Sequence, residues 1–157
     1  MKEIFVECYN DKILIENILK EEKKINHCGS NSQVCRQLKN KEKTIGVIDG
    51  RNKEVLPYFK ETKFKYKQEK KTLGLELYID EKENKLIIIY PELEEWILEA
   101  LKESKISVEN FELPDNPADF KRMAQANPSK FQPLLHNLIK EGNKRIAALK
   151  ELLEDNF

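Results

Sequence analysis

The stretch "TIGVIDGRN", residues 44–52, decides the fold. Its first half is almost continuously apolar, the composition of a strand buried on both faces, as parallel strands are. It then ends on a carboxylate, Asp49, and breaks into a small polar turn with Gly50 and Arg51. On the N-terminal side, "EIFVE" (3–7) is a second short apolar strand closed by an acid, Glu7. "DKILIENILKEE" (11–22) follows it with the apolar spacing of an amphipathic helix. "KINHC" (24–28) and "SNSQVCRQLKN" (30–40) repeat the order, the helix opening on cap-type residues with Val34, Cys35 and Leu38 on one face. Strand–helix units in succession predict an α/β fold: a mostly parallel sheet with right-handed crossovers, flanked by helices.

Toward the C-terminus, a short helical stretch is expected near 53–60. "LGLELYID" (73–80) and "KLIIIY" (85–90), separated by the polar "EKEN", predict a hairpin and hence an antiparallel edge to the sheet. "ELEEWILEALKES" (92–104) reads as a helix with Leu93, Trp96, Ile97, Ala100 and Leu101 as its apolar stripe. A connector with Pro114 and Pro117 leads to a helix over 117–126. After Pro128 comes a long helical region that Gly142 bends or splits. The expected organisation is an α/β domain over 1–104 and an α-helical C-terminal extension over 105–157 packed on it. His136, among Leu134, Leu135 and Leu138, is expected to be a partly buried packing residue.

The chain of 157 residues is long enough for one compact domain with a real core. Lys+Arg 28 against Asp+Glu 28 leaves no net charge, so no global field draws the protein to nucleic acid or an anionic membrane, and polyanion binding must be local. The longest strongly apolar run, "LIIIY" (86–90), falls far short of the roughly 20 residues that span a bilayer. The N-terminus lacks the apolar region of an export signal, so a cytoplasmic location is expected. An odd cysteine count, Cys8, Cys28 and Cys35, then argues for reduced thiols. With His27 those cysteines make a candidate zinc set, but without a paired C-x-x-C knuckle small buried thiols are the expectation.

In a parallel α/β sheet, ligands sit beyond the carboxyl ends of the strands. If the strands ending in Glu7 and Asp49 are neighbours, both carboxylates meet at one rim, with Asp11 a turn away. Such oxygen donors suit Mg²⁺ or Mn²⁺, which take one or two protein carboxylates and leave the remaining positions to water and phosphate.

At these residues the chain resembles the Toprim family. "IFVECYND" is similar to the family's first motif, in which Glu7 and Asp11 match and Cys8 stands in place of a glycine. "TIGVIDGRN" is similar to the second, an Asp-x-Asp, in which Asp49 matches and Arg51 replaces the other aspartate. "YPELEEW" resembles the stretch after the last core strand, where Glu94 lies near the site. The resemblance covers roughly residues 2–103. It implies a Toprim-like fold and a nuclease-like, divalent-metal chemistry on nucleic-acid phosphodiesters. Glu7 and Asp49 are then the catalytic pair, and Glu7, Asp49, Asp11 and Glu94 the candidate metal ligands. Glu7 reads either as ligand or as proton acceptor, and Arg51 as a phosphate-gripping fork. The replaced aspartate leaves a second reading open, a degenerate module that binds nucleic acid or a protein without turnover.

"KETKFKYKQEKK" (60–71) interleaves lysines with Phe64 and Tyr66. In an extended segment Lys63, Lys65 and Lys67 share one face and offer a phosphate track, though lysines on an edge strand also guard against aggregation. The leucine-rich face of the C-terminal helices makes an identical subunit or another protein a candidate partner there. No membrane partner is expected.

Overall fold

The computed structural model describes residues 2–20, 24–51 and 53–154. Six strands form one sheet: β1 (Ile4–Val6), β2 (Ile25–His27), β3 (Ile45–Asp49), β4 (Phe64–Lys70), β5 (Leu75–Asp80) and β6 (Lys85–Ile89), in the order β2-β1-β3-β6-β5-β4. The first three and β6 run parallel, while β5 and β4 are antiparallel to their neighbours. The predicted hairpin is β5–β6. Its turn closes on Asp80, whose Oδ1 accepts from the Lys82 and Asn84 backbone N–H groups, both at 2.9 Å.

Seven α-helices are present among the described residues: α1 (Tyr9–Leu19), α2 (Asn31–Asn40), α3 (Pro57–Glu61), α4 (Leu93–Glu103), α5 (Pro117–Ala126), α6 (Pro128–Lys140) and α7 (Lys144–Glu154). The predicted first helix reaches residue 22, and positions 21–22 lie outside the described residues. None of these helices is long and apolar enough to cross a membrane.

Strand alternation divides the core in two. Ile4, Val6, Ile45, Val47, Ile87 and Ile89 face one side, where α1 and α4 pack. Phe5, Ile48, Leu86 and Ile88 face the other, with Val34, Cys35 and Leu38 of α2 and Tyr58 of α3. Because α1 and α2 cover opposite faces, the chain leaves β1 toward β2 on one side and returns to β3 on the other. The β1–β3 pair is therefore the point where the crossovers diverge, and a crevice opens beyond its carboxyl ends.

The segment after residue 104 does not close a separate core. Phe120, Phe131, Leu134, Leu135, Leu138 and Leu149 join Ile13, Leu14 and Ile97 in the same apolar cluster. The long C-terminal helical region is split, as its glycine predicted: Gly142 sits at φ +69° between α6 and α7. His136 is corrected from packing residue to exposed side chain. The buried face of α6 carries Phe131, Leu134, Leu135 and Leu138, and a two-residue step from 134 turns 136 to the opposite side.

Candidate functional site

Glu7 follows the last residue of β1 and Asp49 ends β3, and the parallel register Val6↔Val47 brings them to the same rim. Both carboxylates line one cleft, close enough for Asp49 to push the Glu7 pKa up. Asp49 is held by its Oδ1, which accepts from the Asn31 amide at 3.0 Å and from the Arg51 backbone N–H at 2.9 Å. Asn31 opens α2, whose Ser30 cap accepts from the Gln33 N–H and fixes where the helix starts. Gly50 follows Asp49 because the Tyr90 ring lies where a β-carbon would stand.

Four acids, Glu7, Asp11, Asp49 and Glu94, line one cleft with Cys8, Lys121 and an apolar floor of Ile48, Ile89 and Leu93. Its free space is about 10 Å³, the room of roughly one water or one small cation. Crowding and burial disfavour charge here. Burial, then the neighbouring Asp49 and Asp11, push Glu7 from its ordinary value of 4.5 up to about 7, against the pull of Lys121. Burial likewise lifts Asp11 from 3.8 to about 7, hydrogen bonds from Cys8 opposing. Glu94 is raised by burial. Lys121 responds in the complementary sense: burial works against its ammonium, but Glu94, Glu92 and Glu7 outweigh it and hold its pKa above the ordinary value.

The acids are not equivalent. Asp11 lies in the first turn of α1, where its Oδ2 accepts from the Cys8 backbone N–H at 3.0 Å and the Cys8 thiol at 3.1 Å, the return bond of a helix cap. Glu94, in the first turn of α4, takes a long 3.5 Å bond from the buried Asn10 amide. Among the described residues no three His, Cys, Asp or Glu side chains are arranged to hold a metal by themselves. Glu7 and Asp49 remain as a two-carboxylate pair. The donor set of the cleft, carboxylate oxygens from Glu7 and Asp49, is of the chemistry that a hard, oxygen-loving cation takes, and Asn10 and Asn31, each donating its Nδ2 to one of the acids, have buried Oδ1 atoms without a hydrogen-bond partner.

The remaining candidates lie apart from the acids. The Arg51 guanidinium does not line the cleft: it is exposed and pairs with Glu92 at 3.2 Å and Glu95 at 3.5 Å, at the start of α4. Lys63, Lys65 and Lys67 are not gathered with the acids. Lys65 and Lys67 belong to the edge strand and Lys63 directly precedes it, three strand spacings or about 14 Å from β3, and Lys65 pairs with Glu83 in the hairpin turn at the opposite rim. A register shift between Phe64 and Tyr66 also breaks their common face. Lys67, opposite Tyr78, lies over its ring, and Phe64 packs on that same ring. The zinc set does not assemble either. Cys8 bonds to Asp11, while Cys28 and Cys35 pack in the core beneath α2, where burial raises both thiols.

Lys121, Asn10 and Asn31 carry no signal in the sequence beyond, for Asn10, its place between Glu7 and Asp11. Compared with protein-family models, with curated proteins and with solved structures, the chain finds no match.

Proposed function

We propose that the chain is a Toprim-like protein whose Glu7–Asp49 pair holds one divalent cation, Mg²⁺ or Mn²⁺, against a nucleic-acid phosphodiester. The reading is carried by one observation: two carboxylates from neighbouring parallel strands pressed together at the crossover switch, with Glu7 pushed up to about 7. Carboxylates so placed need a cation or a proton between them. Glu7, Asp11 and Asp49, the positions that match the family's motifs, line the same cleft.

When bound, the cation polarises a phosphoryl oxygen and orients a nucleophile. Asn31 and the Arg51 backbone N–H fix Asp49 for that task. Glu7 would hold the cation together with Asp49, and its raised pKa in the bare cleft marks how strongly the pair calls for that positive charge. Lys121 supplies fixed positive charge beside the reacting phosphate. Asp11 and Glu94 act from behind, the first by capping α1 and the second by holding Lys121 charged.

The commitment of Arg51 to Glu92 and Glu95 favours a second reading, a module that keeps the fold and binds nucleic acid or a protein without turnover. One experiment separates them. The purified protein is incubated with labelled single- and double-stranded DNA and RNA in Mg²⁺, Mn²⁺ or chelator, beside Glu7→Gln and Asp49→Asn. Cleavage that needs metal and falls by about 10²-fold or more in both variants is the expected result. Salt-sensitive binding that survives both substitutions, with no product, establishes the module instead.

A further inference from the structure

Lys53 stands four positions after Asp49, at the start of a 3-10 turn, and its side chain is directed away from solvent into a pocket of aromatic rings. Its ammonium lies 5.4 Å from the centroid of Phe59, 5.7 Å from Tyr78 and 5.0 Å from Tyr90. At the base is Glu76 of β5, whose Oε2 accepts from Lys53 at 2.9 Å, from the Tyr78 hydroxyl at 2.7 Å and from the Tyr90 hydroxyl at 3.0 Å. An ion pair with this degree of burial and three aromatic faces is held far more firmly than a surface pair. Burial opposes the Glu76 charge, but the hydrogen bonds from Lys53, Tyr78 and Tyr90 overcome it and keep its pKa below the ordinary value.

Tyr90 links this pocket to the acid cleft. Its hydroxyl and one ring face belong to the Lys53 pocket, while the ring also rests against the Gly50 backbone, next to Asp49. Gly50 donates to Ile89 O at 3.0 Å and Pro91 O at 3.2 Å, so its backbone is fixed by the residues on either side of Tyr90.

We propose that Lys53 is a positioning residue: seated among Glu76, Tyr78 and Tyr90, it fixes the Tyr90 ring against Gly50 and thereby sets the backbone from which Asp49 faces Glu7. The role deepens, and rests on, the reading of Glu7 and Asp49 as the cation-holding pair. No local pattern reveals it, because Lys53 meets its partners across β5 and the end of β6.

The test uses the full chain with Lys53→Met, which keeps the stem and removes the charge, and Lys53→Arg, which keeps the charge. Amide hydrogen exchange is followed without metal, and Mn²⁺ affinity is measured by calorimetry on the same samples. In Lys53→Met the Gly50 amide is expected to exchange at least about tenfold faster, the scale of one lost charged hydrogen bond, while Val47 keeps its protection. Lys53→Arg restores Gly50, and Mn²⁺ affinity follows Gly50 across the three proteins. Unchanged Gly50 exchange in Lys53→Met overturns the proposal. Equal acceleration at Gly50 and Val47 also overturns it, since Lys53 is then a global stabiliser only. If Gly50 responds as expected but the wild type binds no Mn²⁺, the loop-setting role stands and the metal reading of Glu7 and Asp49 is what fails.

Discussion

Gly50 is a position where a single methyl group matters, because the Tyr90 ring occupies the space a β-carbon would need. Gly50→Ala is expected to destabilise by about 1–3 kcal/mol in urea denaturation, the scale of overpacking. The penalty should shrink when Tyr90→Ala is present, a coupling that a double-mutant cycle reads directly. The acids give a pH prediction. Glu7 and Asp11 rise from ordinary values of 4.5 and 3.8 to about 7 in the fold, so the folded chain keeps protons that the unfolded chain has released. Their stabilising contribution is complete below the unfolded values and is lost as pH rises through about 7. In chelator, the thermal midpoint should therefore fall between about pH 4 and 7, and Glu7→Gln should flatten that fall. Glu7, Asp11 and Asp49 were legible in the sequence because each sits at a strand end or one turn beyond, where the pattern itself marks a rim. Lys121 was not, since "DFKRMA" reads as any solvated helix. The partners of Arg51 were not legible, because Glu92 and Glu95 come from another element, and charge pairs across a fold leave no local trace.

The helices were legible to the extent that their periodicity decides them, and the break between α6 and α7 illustrates what lies beyond that. Gly142 signalled a break, but its sharpness comes from Asn143, which is buried and uses both ends of its amide. Its Oδ1 accepts from the Arg145 N–H at 2.9 Å and the Ile146 N–H at 3.3 Å, capping α7. Its Nδ2 donates to Ala100 O and Ser104 Oγ at the end of α4, both at 2.9 Å. Asn143→Ala removes the cap of α7 and both bonds to the end of α4, so a loss of about 2–3 kcal/mol is expected in denaturant titration. Gly142→Ala should cost about 1 kcal/mol, and through the backbone alone, because nothing stands within 4 Å of the added carbon while φ is +69°. The edge strand β4 was harder to read. Its lysines alternate in sequence, but the bulge near Phe64 is imposed by pairing with β5, and a shift of one position moves every later side chain to the other face.

At the scale of the whole molecule, the α-helical segment after residue 104 supplies one wall of the main core and one wall of the cleft. A chain ending at residue 104 should show no cooperative thermal transition by circular dichroism, because Ile13, Leu14 and Ile97 would lose the cover of Phe120, Phe131 and Leu135. The α/β order and the hairpin edge could be inferred from the pattern of apolar runs. The merging of the C-terminal helices into the same core could not, since a leucine-rich face fits a partner as well as it fits the domain. The placement of Lys121 has a consequence for biosynthesis. A ribosome releases Glu7, Asp11, Asp49 and Glu94 well before Lys121, the cleft's own basic residue. Because the core is not covered until the C-terminal helices dock, the four acids are gathered only as α5 arrives, and carboxylates and ammonium enter the cleft together.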